Sequence, residues 1–91
     1  MISSKKNSIT ALKKARASTN HILKMIDEDS YCIDILQQIL AVNGLLKSAS
    51  AKILENHLNT CFIEGMGSSS KKIKENLVKE VLDVIKLGGK N

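Results

Sequence analysis

Two cysteines and one histidine draw attention first, because their side chains hold soft metals or carry thiol chemistry and because their spacing is helical. His57 and Cys61 are four residues apart, and side chains at i and i+4 of an α-helix share one face, as two ligands of a single ion must. Read alone, the pair is also what a buried Cys packing as a small hydrophobe beside a surface His would give. Cys32 adds weight to the metal reading. At 100° per residue its side chain falls within about 20° of the stripe carrying the other two, yet on a straight helix it sits roughly 37 Å from His57. One chain therefore cannot close the set if the helix is straight. Two such helices paired antiparallel bring Cys32 of one copy beside His57 and Cys61 of the other, twice per dimer.

Two thiolates and one imidazole make a soft three-ligand set that suits Cu(I), whereas Zn(II) normally seeks a fourth ligand to complete a tetrahedron. Ligation requires the thiols to lose their protons. A ligating imidazole usually donates its second N–H to an acceptor such as a carboxylate, for which Glu80 is a candidate.

The elements that must position these residues follow from apolar periodicity. Residues 1–6 read as a disordered tail and residues 7–87 as one domain, with residues 88–91 a second tail. From about Asn7 to Asp27, Ile9, Leu12, Ala15, Thr19, Ile22, Leu23 and Ile26 recur at three- and four-residue spacing, the pattern of an amphipathic helix. Asp27-Glu28-Asp29-Ser30 supplies a turn, an N-cap and negative charge at the next helix start. That second helix begins near Tyr31 and carries Ile35, Leu36, Ile39, Leu40, Leu46, Ile53, Leu54, Leu58 and Phe62, ending at the loop Gly65-Met66-Gly67-Ser68-Ser69-Ser70. Asn43-Gly44 is a turn dipeptide inside it. The apolar stripe crosses it without a change of phase, and one Gly costs a helix only about 1 kcal/mol against Ala, so the helix is expected to continue. A third helix spans about Ser70 to Lys86, with Ile73, Leu77, Val81, Val84 and Ile85 inward and Gly88-Gly89 closing it.

Composition agrees with an all-α fold: the 91 residues include no proline, one Tyr and one Phe. A chain this short buries only about 60–65% of its extended surface, which favours assembly with copies of itself. Two cysteines make at most one intrachain bridge, and no secretory leader precedes them, so reduced thiols in the cytoplasm are expected. Charged or amide residues interrupt every apolar stretch well short of the roughly 20 residues of a membrane span. The net charge of +5 is uneven. Residues 1–26 hold Lys5, Lys6, Lys13, Lys14, Arg16 and Lys24 with no acid, and residues 65–91 hold six bases against three acids. Such faces repeat in a symmetric oligomer and attract a polyanion such as DNA, although a solvated basic face has the same composition.

The run from Tyr31-Cys32-Ile33-Asp34-Ile35-Leu36 through Val42, followed by Leu54-Glu55-Asn56-His57-Leu58-Asn59-Thr60-Cys61, resembles the core of the CsoR/RcnR family of metal-responsive repressors. Retention of His57 with both cysteines resembles the copper-sensing branch. Nickel sensors that share the trio add an N-terminal His, and none precedes His21 here. The resemblance implies a three-helix protomer, an antiparallel homodimer and a tetramer of two dimers that binds operator DNA when metal-free and releases it on binding metal. It further implies that Tyr31 and Glu80 couple His57 to the DNA-binding face, Glu80-Val81-Leu82-Asp83-Val84-Ile85 matching the family's E-L-L-D-V-I stretch. Family members usually carry an arginine-rich R-I-E-G-Q-V-R-G-like run where this chain has Lys14-Ala15-Arg16-Ala17-Ser18-Thr19-Asn20-His21. Lys13, Lys14, Arg16 and Lys24, with Lys47 on the second helix, remain to neutralise phosphates, a contribution that depends on charge more than on residue identity.

The remaining motifs point elsewhere. His21 and Met25 are a second i, i+4 pair, but a Met on a helical stripe reads as core. Ser68-Ser69-Ser70-Lys71-Lys72 lacks a P-loop pattern and reads as a linker. No nucleophile and base pair outside the Cys and His set, and no cofactor fingerprint, suggests an enzyme with a small-molecule substrate. The expected function is a metal-responsive repressor, with Cu(I) as the ion and Ni(II) or Zn(II) as alternatives. Two other readings share the fold: a thiol sensor in which Cys32 and Cys61 of a second copy are oxidised or bridged by sulfur, and a metal-binding module without operator binding.

Overall fold

The computed structural model describes residues 2–89, with side chains from Lys5 to Gly88. Every regular element among the described residues is a helix. The order is α1 (Ile2–Asp27), α2 (Cys32–His57), a π-helical turn (Leu58–Phe62), α3 (Ile63–Met66) and α4 (Lys71–Gly89). α1 starts at Ile2, within the stretch 1–6 read as a tail, because nothing in Ser3-Ser4-Lys5-Lys6 breaks a helix even though no apolar pattern announces one. Met1, Lys90 and Asn91, the outermost residues of the two expected tails, lie outside the described residues.

α1 ends in a Schellman motif. The Ser30 N–H donates to the Met25 carbonyl at 2.9 Å and the Asp29 N–H to the Ile26 carbonyl at 3.1 Å. The motif needs a left-handed residue, and Asp29 fills that place with φ of 56°. Glycine is the residue with no Cβ penalty there. Asp29→Gly is therefore expected to raise stability by up to about 1 kcal/mol, read as a higher urea midpoint at fixed chain concentration. The N-cap expected within Asp27 to Ser30 falls just beyond that cluster, since α2 starts at Cys32 and the Tyr31 carbonyl accepts from the Ile35 N–H at 3.2 Å.

Helical residues then run without a gap from Cys32 to Met66, so Asn43-Gly44 stays inside α2. Two compact units divide this run, the first ending at Asn56 and the second starting at His57. In the first, the buried residues are Ser8, Ala11, Ala15 and Ile22 on α1 and Ala49 on α2. Ser8, Ala11, Ala15 and Ile22 fall on one seven-residue repeat, with Ser18 and Met25 half-buried on the same seam. On α2 the half-buried Ile35, Val42 and Leu45 continue into Ala49 by the same spacing. Small side chains at these places let two helix backbones approach closely, the condition for a tight knobs-into-holes seam.

This seam is only partly the one that periodicity suggested. Ala15, Ile22 and Ile35 are on it, but Ile9, Leu12, Leu23 and Ile26 of α1 and Leu36, Ile39, Leu40, Leu46 and Ile53 of α2 are exposed. Each helix carries two apolar stripes, and the protomer buries the one with small residues. Eighteen large apolar side chains among the described residues are exposed, and none is fully buried. A lone chain leaves far more apolar surface in water than a stable monomer does.

In the second unit, α3 and α4 form a short hairpin around Gly67, whose N–H donates to the Ile63 and Glu64 carbonyls, both at 3.2 Å. Gly65 is helical rather than part of the loop, and a Cβ there would run into Leu77 of α4, so its lack of a side chain permits the close crossing. Ser70 caps α4 by accepting from the Ile73 N–H at 3.4 Å. Leu77 and Val81 are half-buried, whereas Ile73, Val84 and Ile85, also expected inward, are exposed.

Candidate metal centre

Cys32 is the first residue of α2, and its thiol is free and exposed. Its place at the start of the exposed stripe follows from sequence. Leu36, Ile39, Asn43, Leu46, Ser50, Ile53 and His57 succeed it at alternating four- and three-residue spacing, one seam of a seven-residue repeat. The two candidate ligands thus terminate a helical face whose large apolar members all meet water in the single chain.

His57 is the last residue of α2, half-buried, with its ring centroid 6.4 Å from that of Phe62 and the planes inclined at 56°. Cys61 lies inside the π turn, exposed and free. Five-residue hydrogen bonds make this turn wider than an α turn, and single π turns inside longer helices are frequent at functional sites. The 100° per residue used to set Cys61 on the stripe does not apply across it, so the pair His57 and Cys61 is joined by a non-standard turn. The Thr60 hydroxyl lies 3.8 Å from the Cys61 sulfur and donates to it. Neither the π turn nor this hydroxyl had a sequence signal, since Leu-Asn-Thr-Cys-Phe contains no residue that demands a wide turn.

Among the described residues, no group of three or more His, Cys, Asp and Glu side chains of the single chain is arranged to hold a metal ion. The donor chemistry nonetheless fits one. Two free exposed thiols and an imidazole are soft donors, and neither thiol is consumed in a disulfide.

The other site residues lie at the surface. Tyr31 precedes α2 and is 67% exposed. Glu80 is exposed on α4, and no hydrogen bond joins it to His57 among the described residues. Lys13, Lys14 and Arg16 are exposed along α1 and Lys47 along α2. Lys24 differs from them in having a nearby carboxylate, Glu28, at 3.9 Å, in a pair that is well exposed on both sides.

Residues 4–86 match the family model described as metal-sensitive transcriptional repressor. The chain belongs to that family. Relatives include the copper-sensing transcriptional repressor CsoR of Mycobacterium ulcerans, 33% identical over 86 residues that make up 90% of this chain and 68% of the relative. The protein of the same name from Bacillus subtilis is 35% identical over 85 residues, covering 92% of this chain and 81% of the relative. Against the Mycobacterium tuberculosis relative the chain spans 66% of its length. Among solved structures, the copper-sensing repressor CsoR with Cu(I) from Geobacillus thermodenitrificans superposes with a TM-score of 0.81 at 31% identity, over 92% of this chain and 84% of the other. The match to the repressor family thus spans all three long helices, and with them Cys32, His57 and Cys61. No helix among the described residues is long and apolar enough to cross a membrane.

Proposed function

We propose that this chain is a Cu(I)-responsive, cytoplasmic transcriptional repressor that binds operator DNA without metal and leaves it on taking up copper. The observation that carries the reading is the exposed stripe of α2 with Cys32 at its first position and His57 at its last. Antiparallel pairing that sets Cys32 level with His57 of a second copy also sets Leu36 level with Ile53 and Asn43 with Leu46 of that copy. The apolar surface that needs covering and the ligands that need company are thereby served by one contact, made twice around a two-fold axis. Two such dimers form the proposed tetramer. The names of the relatives and the soft donor set support copper over Ni(II) and Zn(II).

In this reading Cys32 of one copy and His57 and Cys61 of the other hold the ion. Holding it fixes the start of one α2 against the end of its twin. The π turn follows His57 directly and contains Cys61, so holding the ion also constrains this turn. Tyr31 and Glu80 are the proposed partners of His57 in passing the change to α1 and α4. Lys13, Lys14 and Arg16 face the phosphates, with Lys47 contributing from α2. Lys24 contributes less than its position suggests, since Glu28 offsets part of its charge.

The test is an anaerobic titration followed by a gel shift on a duplex taken from upstream of the chain's own coding sequence. The metal-free protein is expected to shift the duplex in a salt-sensitive way and to release it as Cu(I) fills the thiolate sites, seen by their absorption bands. Absence of any salt-sensitive shift would remove the repressor reading, and a response to Ni(II) or Zn(II) in place of Cu(I) would reassign the ion.

A further inference from the structure

α1 is helical from Ile2, which changes the standing of two lysines that a disordered tail would leave without a fixed place. Lys6 falls on the same seven-residue repeat as Thr10, Lys13 and Lys24, so it extends the basic ridge of α1 by two turns toward its start. Lys5, Lys6, Ile9, Thr10 and Lys13 together line one surface concavity of about 430 Å³. Thr10 is held there by donating from its hydroxyl to the Lys6 carbonyl at 3.0 Å. Charge is unopposed at this end: α1 has no acidic residue before Asp27, and among the described residues Lys5, Lys6 and Lys13 form no ion pair within 4.0 Å, unlike Lys24 at the other end.

We infer that Lys5 and Lys6, with Lys13, form a phosphate-contacting patch for the backbone of duplex DNA, and that the grip of α1 on nucleic acid is centred on its amino-terminal half. Lys6 and Lys13 are seven residues apart, about 10 Å along the helix. A duplex offers one phosphate per about 3.4 Å of axis on each strand, so the ridge spans about three of them. Such contacts carry no sequence information, which suits a helix lacking the second arginine and the Gln of its family's usual run. The inference rests on the repressor reading, and its test separates the two.

Binding of the metal-free full chain and of the double variant Lys5→Gln/Lys6→Gln to the same upstream duplex is measured across a salt series. Helical circular dichroism checks that the exposed substitutions leave the fold intact. The expected result is a slope of log affinity against log salt that falls by about 0.9 for each lost contact, hence by about 1.8 for each protomer on the DNA, with Lys5→Arg/Lys6→Arg restoring it. An unchanged slope in a protein that binds DNA overturns the patch and leaves the repressor standing. If the unaltered chain binds no duplex, both fall. If the double variant keeps its DNA slope but loses binding to vesicles of anionic lipid, the patch belongs to a membrane surface and the inference is overturned.

Discussion

Refolding Cys32→Ala chains together with Cys61→Ala chains is expected to restore about a quarter of the Cu(I) sites of the unaltered protein, although neither variant alone forms a site tight enough to survive a Cu(I) chelator. In an antiparallel dimer every site takes its first thiol from one copy and its imidazole and second thiol from the other. A mixed dimer therefore contains one complete set, with Cys32 from the Cys61→Ala chain and His57 and Cys61 from the Cys32→Ala chain. Its second set lacks both thiols. Random pairing makes about half the dimers mixed, each with one site of two, which gives the quarter. The measurement is chelator-resistant Cu(I) per chain, read with the thiolate bands. Recovery of no sites on mixing would mean that the ligands do not converge across a subunit boundary. The pairing of α2 with its twin would then have to be abandoned, whatever covers the exposed stripe.

The second large effect concerns communication between metal and DNA. In the unaltered protein Cu(I) is expected to weaken operator binding by about 5- to 150-fold, and by linkage the operator weakens Cu(I) binding by the same factor. His57→Ala leaves both thiols in place, and two thiolates still hold Cu(I) because the ion accepts low coordination with soft donors. What the variant lacks is the one proposed ligand that stands at the junction between α2 and the π turn. Its expected behaviour is retained Cu(I) binding with a coupling factor near one. Two measurements check this, the DNA affinity with and without Cu(I) and the Cu(I) affinity with and without DNA. A variant that binds Cu(I) and still releases the operator by the full factor would show that the signal does not pass through the imidazole.

Much of the helical frame was legible in the residues. The loop before α4 was announced by glycines and serines, the turn before α2 by Asp27 to Ser30, and the persistence of α2 through Asn43-Gly44 by an apolar stripe that kept its phase. Three features were not. The inner seam is decided by Ala11, Ala15 and Ala49, whose size lets backbones approach, whereas hydrophobicity alone favours the larger Ile9, Leu12 and Leu36 that lie outside. A chain that meets its own copies displays two apolar stripes per helix, and a single sequence does not say which one faces inward within the protomer. The start of α1 has no apolar period to read, being Ser and Lys. The π turn arises among residues with no unusual backbone preference. At the candidate centre, the residue types and the four-residue spacing of His57 and Cys61 were available from the outset. The wide turn joining them and the Thr60 hydroxyl beside Cys61 depend on three-dimensional placement, whereas the carboxylate beside Lys24 follows from the four-residue spacing of Lys24 and Glu28 on one helix.

The absence of any fully enclosed large side chain among the described residues also bears on how this protein behaves on dilution. If, as proposed, this apolar surface is covered only by other copies, folding and association become one equilibrium, and the melting temperature is expected to rise with protein concentration. A cell making few copies would hold a larger unfolded or partly folded fraction, open to proteases, than a cell making many. Abundance itself then sets a floor below which this regulator cannot persist.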